Sequence, residues 1–141
     1  MDAVAEIDLV APILALFALT GAVWLWMYWL RIRAFRRGEL ARRYVRAGEG
    51  PPPPEPVVVA GRAFSNLFET PVLFYVLCLL LIQLELAGRA DVLLGWLYVA
   101  LRALHALIFL TFNHPLYRFC AYLASCVVLA VMAARLAAAV L

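Results

Sequence analysis

Arg62, Asn66 and Glu69 stand four and three positions apart in an otherwise apolar stretch, Arg102 and His105 three apart in a second, and Arg118 and Tyr122 four apart in a third. On a helix of about 3.6 residues per turn, each set falls on one face. A charged side chain at the centre of a bilayer costs about 2.5 to 3.5 kcal/mol on insertion scales, so such groups face a bundle interior or a watered cavity and mark functional sites. Three guanidinium groups against one carboxylate favour an anion. The planar arginine fork pairs with carboxylates through two parallel hydrogen bonds, and Glu69 with Asn66 suits an ammonium or amide group. A zwitterionic, peptide-like anion meets both requirements.

Only transmembrane elements can hold these groups. The 141 residues are 67% hydrophobic and 15% charged, and mean hydropathy is +0.95. A soluble domain carries about a quarter charged residues. Spanning a bilayer takes about 20 mainly apolar residues, and four stretches qualify: residues 9–30, 64–87, 92–112 and 116–134. The expected fold is therefore an all-α membrane protein, a four-transmembrane-helix bundle running up-down-up-down, with residues 1–141 forming one transmembrane domain. Asp2, Glu6 and Asp8 precede the first stretch in place of the basic flank of a signal peptide, so it reads as a retained helix.

Orientation comes from the basic residues, all of them arginine. Arg31, Arg33, Arg36, Arg37, Arg42, Arg43, Arg46 and Arg62 lie between the first two stretches, while the amino terminus has none and the second connection has only Arg89. The positive-inside rule places residues 31–61 in the cytoplasm and both termini outside. The arginine run reads as a topogenic signal that also meets anionic lipid headgroups, with no nucleic-acid partner expected. Within the loop, residues 32–47 read as an extension of the first helix, with Glu39 set to pair with Arg42 and Arg43. Gly48 and Gly50 stop it, residues 51–54 form a stiff polyproline connector, and residues 57–61 lead back to the membrane.

With that topology the polar groups fall at one level. Glu69 lies about 10 Å inward from Arg62 at a helical rise of about 1.5 Å per residue, His105 reaches a similar depth from the other end of its helix, and Arg102 lies deeper. Arg118 marks the start of the fourth helix, where Pro115 suits the first turn and Asn113 or His114 the cap. The second and fourth helices both begin on this side, so their positive dipole ends add to the anion field. Pro71 frees the carbonyl of Leu67 and bends the second helix beside the pocket. Ala130, Ala134 and Ala138 form a small-residue stripe suited to close helix approach. Trp24, Trp26, Tyr28 and Trp29 read as an interfacial belt, and Arg89 and Arg135 as interfacial charges.

Cys78, Cys120 and Cys126 have no paired spacing and read as small apolar residues, with no disulfide and no metal site. His105 and His114 do not make an axial haem pair, because His114 sits in a loop. A structural reading also fits the individual residues: Glu69 and Arg102 as an ion pair locking two helices, Asn66 as an interhelical hydrogen-bonding group, Arg62 and Arg118 snorkelling to headgroups. On that reading the chain is a non-catalytic structural or accessory membrane subunit. The common depth of all the polar stripes favours the pocket.

The run from Arg62 to Pro71, with its R-x-x-x-N-x-x-E pattern, resembles the second helix of the MAPEG proteins, the membrane-associated proteins of eicosanoid and glutathione metabolism. Arg102 with His105, then Pro115, Arg118 and Tyr122, resemble the third- and fourth-helix landmarks of that family in the same order, over roughly residues 60–125. The resemblance is to a bacterial-type member similar to the microsomal glutathione transferases, which implies the bacterial inner membrane. It further implies a homotrimer that binds glutathione as co-substrate between subunits near the cytoplasmic side and admits lipophilic substrates from the bilayer. By carry-over, Arg62, Asn66 and Glu69 would grip the peptide, with Glu69 near its amino group. Arg102, His105 and Tyr122 would complete the binding site, and Arg118 would be the catalytic residue at the thiol. The implied activity is conjugation of glutathione to lipophilic electrophiles or reduction of lipid hydroperoxides. Ser65 stands where some eicosanoid-producing members carry another arginine, and Phe109 where several carry a tyrosine, which argues against a dedicated prostaglandin or leukotriene synthase.

Overall fold

The computed structural model describes residues 3–141; Asp2 of the acidic amino terminus lies outside the described residues. Six helices follow in order: α1 (Ala3–Arg36), α2 (Arg42–Ala47), α3 (Glu55–Asn66), α4 (Thr70–Gln83), α5 (Arg89–Leu110) and α6 (Pro115–Val140). Among the described residues, four spans are long and apolar enough to cross a bilayer, namely α1, α3 with α4, α5 and α6. The protein is an all-α integral membrane bundle of four spans.

The chain between the first two spans is more helical and more divided than the sequence suggests. α1 runs to Arg36, but Gly38 stops it, its φ of +72° lying in the left-handed region that glycine enters without strain. α2 is consequently a separate short helix, closed by Gly48 at φ +70° with its N–H donating to the Tyr44 carbonyl. The expected pairing of Glu39 with Arg42 and Arg43 does not form. Glu39 lies 4.0 Å from Arg37, both exposed, and Arg43 pairs instead with Glu49 at 2.6 Å. The kink at Gly38 has turned α2 out of register with Glu39.

The second span starts nine residues before the apolar stretch, at Glu55, because Pro54 is its N-cap and Pro56 falls in the first turn, where a missing N–H costs nothing. Val57 and Ala60 are buried, Val57 beside Ala34 and Leu40 in a small core under the loop. The span then breaks rather than bends. Leu67, Phe68 and Glu69 form a turn held by N–H bonds to carbonyls three residues back, and α4 restarts at Thr70 with Pro71 in its first turn. Pro71 accounts for this, since it has no N–H for the Leu67 carbonyl and its ring clashes with a helix continued through that turn, and Glu69 leaves the helical region at φ −87°, ψ −100°.

The main core lies toward the far end from the arginine loop and joins Leu9, Leu16, Phe74, Cys78, Tyr98 and Met132. Phe74 stacks on Tyr98 at 4.6 Å, and the Tyr98 hydroxyl donates to Thr70 at 3.0 Å. A smaller core of Val23, Ala63, Leu67, Ala106 and Phe109 sits nearer the loop and supports the polar end of the bundle. α1 approaches α5 closely at Gly95, where an added Cβ would lie 3.2 Å from a ring carbon of Pro12.

Arg135 is not the isolated interfacial charge the sequence suggests. It forms a two-pronged pair with Asp91, Nε to Oδ1 at 2.8 Å and Nη2 to Oδ2 at 3.3 Å, and Asp91 is only 1% exposed. The Asp91 carboxylate also accepts the Gly88 N–H at 3.0 Å, satisfying the donor at the N-cap of α5. One residue therefore closes a helix end and ties it to α6. The 44 positions between the partners hid the pair from local pattern reading.

Candidate functional site

The break between α3 and α4 organises the site. Asn66 ends α3, so its carbonyl receives only a long 3.4 Å bond from the Glu69 N–H of the turn, and Arg102 adds a shorter one from α5. Arg102 Nη2 donates to the Asn66 carbonyl at 2.9 Å and to its side-chain Oδ1 at 2.6 Å. With Oδ1 so engaged, the amide must point its Nδ2 the other way, and that group donates to Glu69 Oε2 at 2.7 Å. A relay of guanidinium, amide and carboxylate results. Glu69 and Arg102 are thus linked through Asn66 and not directly paired as an ion lock.

The relay has a buried end and an open end. Arg102 is 0% exposed, and its Nε and Nη1 have no hydrogen-bond partner among the described residues. Its guanidinium carbon lies 5.6 Å from the centre of the Tyr122 ring. Glu69 and Arg62 are exposed, and with Ser65 and Asn66 they line a cleft of about 490 Å³. Opposite them the cleft is lined by Arg31 of α1 and Tyr44 of α2. Sequence reasoning did not place Arg31 and Tyr44 here, because contact between the end of α1, α2 and α3 depends on the turn at Gly38. Gly61 faces Arg31, whose Nη2 would lie 3.7 Å from an added Cβ.

The other sequence-designated residues gather beside this cleft, not in its lining. His105 is buried between Phe109 and Tyr122, with ring centres 5.7 and 5.8 Å away. Arg118 lies over the Phe109 ring at 4.2 Å and donates through Nη1 to Asn113 Oδ1 at 2.7 Å. Asn113, expected as a cap for α6, therefore holds Arg118, and its φ of +45° is the left-handed conformation asparagine tolerates. His114 occupies the N-cap position of α6 without a side-chain cap bond, and Pro115 opens the helix as expected. Phe109 joins the two groups, lining the cleft while carrying Arg118 over its ring. Arg62, Asn66, Glu69, Arg102, His105, Arg118 and Tyr122 all lie at one end of the bundle.

Such an arrangement can fix an anion with an attached ammonium group. Arg31 and Arg62 offer forked donors in a cleft whose single carboxylate is oriented from behind. Compared with known families, the chain matches the model of the MAPEG family over residues 9–138. The chain belongs to the MAPEG family. MAPEG membership spans glutathione transferases and peroxidases, and within this MAPEG chain the matched region covers nearly all of the four spans and every residue of the relay. No curated protein and no solved structure matched.

Of the cysteines, Cys126 lies against Tyr122 at the edge of the site. All three are free; Cys78 is buried, Cys126 half-buried and Cys120, expected as a buried apolar residue, exposed.

Proposed function

We propose that this MAPEG protein is a glutathione-dependent membrane enzyme that activates the glutathione thiol for attack on lipophilic electrophiles or for reduction of lipid hydroperoxides. The observation that carries the reading is the cleft at the α3–α4 break, where two guanidinium groups flank a carboxylate steered by a buried arginine. Glutathione has two carboxylates and one ammonium group. Arg31 and Arg62 suit the carboxylates and Glu69 the ammonium, and about 490 Å³ falls in the range of small-molecule sites.

Arg118 is the proposed catalytic group. A free thiol has a pKa of about 8.5 and is mostly protonated at neutral pH, and a guanidinium in contact within a partly desolvated site favours the thiolate. The thiolate then forms a C–S bond with an electrophilic carbon as the leaving group departs with its electron pair, or takes the terminal oxygen of a hydroperoxide as the O–O bond breaks, giving the lipid alcohol and a glutathione sulfenic acid that a second glutathione converts to disulfide and water. A thiol bound at the Phe109 end of the cleft stands next to the ring that carries Arg118. His105 and Tyr122 back that ring. In the proposed homotrimer, glutathione sits between subunits, and Ala130, Ala134 and Ala138, all exposed on α6, suit close helix approach. The proposed location is the bacterial inner membrane, with the arginine loop and cleft facing the cytoplasm, so that soluble glutathione reaches the site while the second substrate enters from lipid.

The test is binding followed by turnover. Millimolar glutathione is expected to raise the melting temperature of the purified protein, and Arg118→Ala to abolish conjugation to a chlorodinitrobenzene electrophile while leaving that thermal shift in place. Absence of both the shift and thiol-dependent turnover in the unaltered protein would make this chain a structural or accessory subunit.

A further inference from the structure

We propose that the groove between the end of α1, α2 and the start of α3 binds one anionic phospholipid of the surrounding bilayer. The groove encloses about 660 Å³ and is separate from the polar relay, sharing only Arg31 and Val57 with the neighbouring cleft. Its walls divide by chemistry. Tyr28, Ile32 and Phe35 line it from α1, and Leu40, Val45 and Val57 face them from the loop, α2 and α3, giving a largely apolar channel. Arg31 and Arg36 are its only charged lining residues, and no carboxylate lines it.

Charge complementarity decides the occupant. Glu39 is engaged with Arg37 and Glu49 with Arg43, Glu55 at the start of α3 does not line the groove, and among the described residues Arg31 and Arg36 form no ion pair. Arg31 lies against the Tyr28 ring at 5.8 Å. Guanidinium groups left over an apolar channel suit a phosphodiester whose chains continue into that channel, because the phosphate accepts forked hydrogen bonds while the chains cover apolar side chains. The level in the membrane agrees. The groove begins at Tyr28, within the belt formed by Trp24, Trp26 and Trp29, so it spans the layer where phospholipid headgroups lie. Ile32, Phe35 and Val45 are 52, 46 and 65% exposed there. Bound lipid would cover them. A general attraction between a basic loop and an anionic surface requires none of this shape, and the proposal does not depend on glutathione binding.

The experiment is native mass spectrometry of the whole protein in detergent micelles doped with equal amounts of phosphatidylglycerol and phosphatidylcholine. One phosphatidylglycerol per chain is expected to be retained in preference to phosphatidylcholine. Arg36→Gln should reduce that retention about fivefold, the ~1 kcal/mol that one basic side chain contributes near an anionic surface. Val45→Asp, at an exposed position, should reduce it further by placing a like charge in the channel. Arg46→Gln removes the same charge next door without lining the groove, and retention should stay unchanged. Equal retention of the two lipids, or equal losses in Arg36→Gln and Arg46→Gln, would overturn the proposal, the first in favour of a site for neutral lipophiles and the second in favour of diffuse surface charge.

Discussion

Arg102 is the side chain on which the polar end of the bundle turns. It has no exposed surface, so its influence on anything in the cleft passes through the Asn66 amide and the Glu69 carboxylate. A buried guanidinium with two unpartnered N–H positions also contributes little net stability, because the desolvation of the charge offsets the bonds it makes. These two facts separate stability from binding. Arg102→Met removes the desolvation cost of the charge together with its bonds, and the Asn66 carbonyl keeps the Glu69 N–H, so the variant is expected to keep its melting temperature close to that of the unaltered protein. The same change frees the Asn66 amide to rotate and leaves Glu69 without its fixed donor. Glutathione affinity should then fall by about tenfold or more, the equivalent of about 1.5 kcal/mol for a hydrogen bond to a charged group. Calorimetric titration alongside thermal unfolding checks both parts. A variant that loses both stability and binding would return Arg102 to a purely structural role.

Between elements, two contacts hold the spans in place, and each gives an ordering of variants. The Asp91 carboxylate is 1% exposed whereas the Arg135 side chain is 45% exposed, so loss of either partner leaves a different residue behind. Arg135→Ala strands a buried carboxylate with one backbone donor, a situation that costs about 3 to 5 kcal/mol in buried pairs. Asp91→Asn strands only an arginine that can reach the interface. Thermal unfolding in detergent should therefore rank Arg135→Ala as the less stable of the two. At Gly95, an alanine gains about 1 kcal/mol of helix propensity that offsets its crowding at 3.2 Å from Pro12, so Gly95→Ala should lie near neutral. Gly95→Leu has no space between α1 and α5 and should lower the melting temperature sharply. Four spans and the R-x-x-x-N-x-x-E pattern were legible from hydropathy and spacing, which are local properties. The α3–α4 break was only half legible: Pro71 signalled a bend, but the stop at Leu67–Glu69, which presents the Asn66 carbonyl to Arg102 on another helix, is a tertiary feature. Arg31 and Tyr44 in the cleft, and Asp91 with Arg135, required tertiary distances that no window along the chain contains.

For the molecule as a whole, the distribution of charge fixes how the site is served. Eight of the twelve arginines lie from Arg31 to Arg62, on the end of α1, the loop with α2 and the α3 segment that border the cleft, whereas Arg89, the first residue of α5, and Arg135, paired with Asp91, lie at the other end. The positive-inside rule predicts that such a loop stays in the cytoplasm. Because both the arginine loop and the polar relay are at one end of the bundle, the orientation that obeys the positive-inside rule also turns the cleft toward soluble thiol. The site and the topogenic signal share a residue, since Arg31 lines the cleft while belonging to the run that sets orientation. An even number of spans then places the carboxyl terminus after α6 on the far side. Expressed in a bacterial host, a carboxyl-terminal alkaline phosphatase fusion should be active and a green fluorescent protein fusion dark, with the opposite pattern for fusions inserted at Gly50 in the arginine loop. A bright carboxyl-terminal fluorescent fusion would put the cleft on the outside, away from the glutathione of the cytoplasm, and the proposed enzyme would have no supply of its co-substrate.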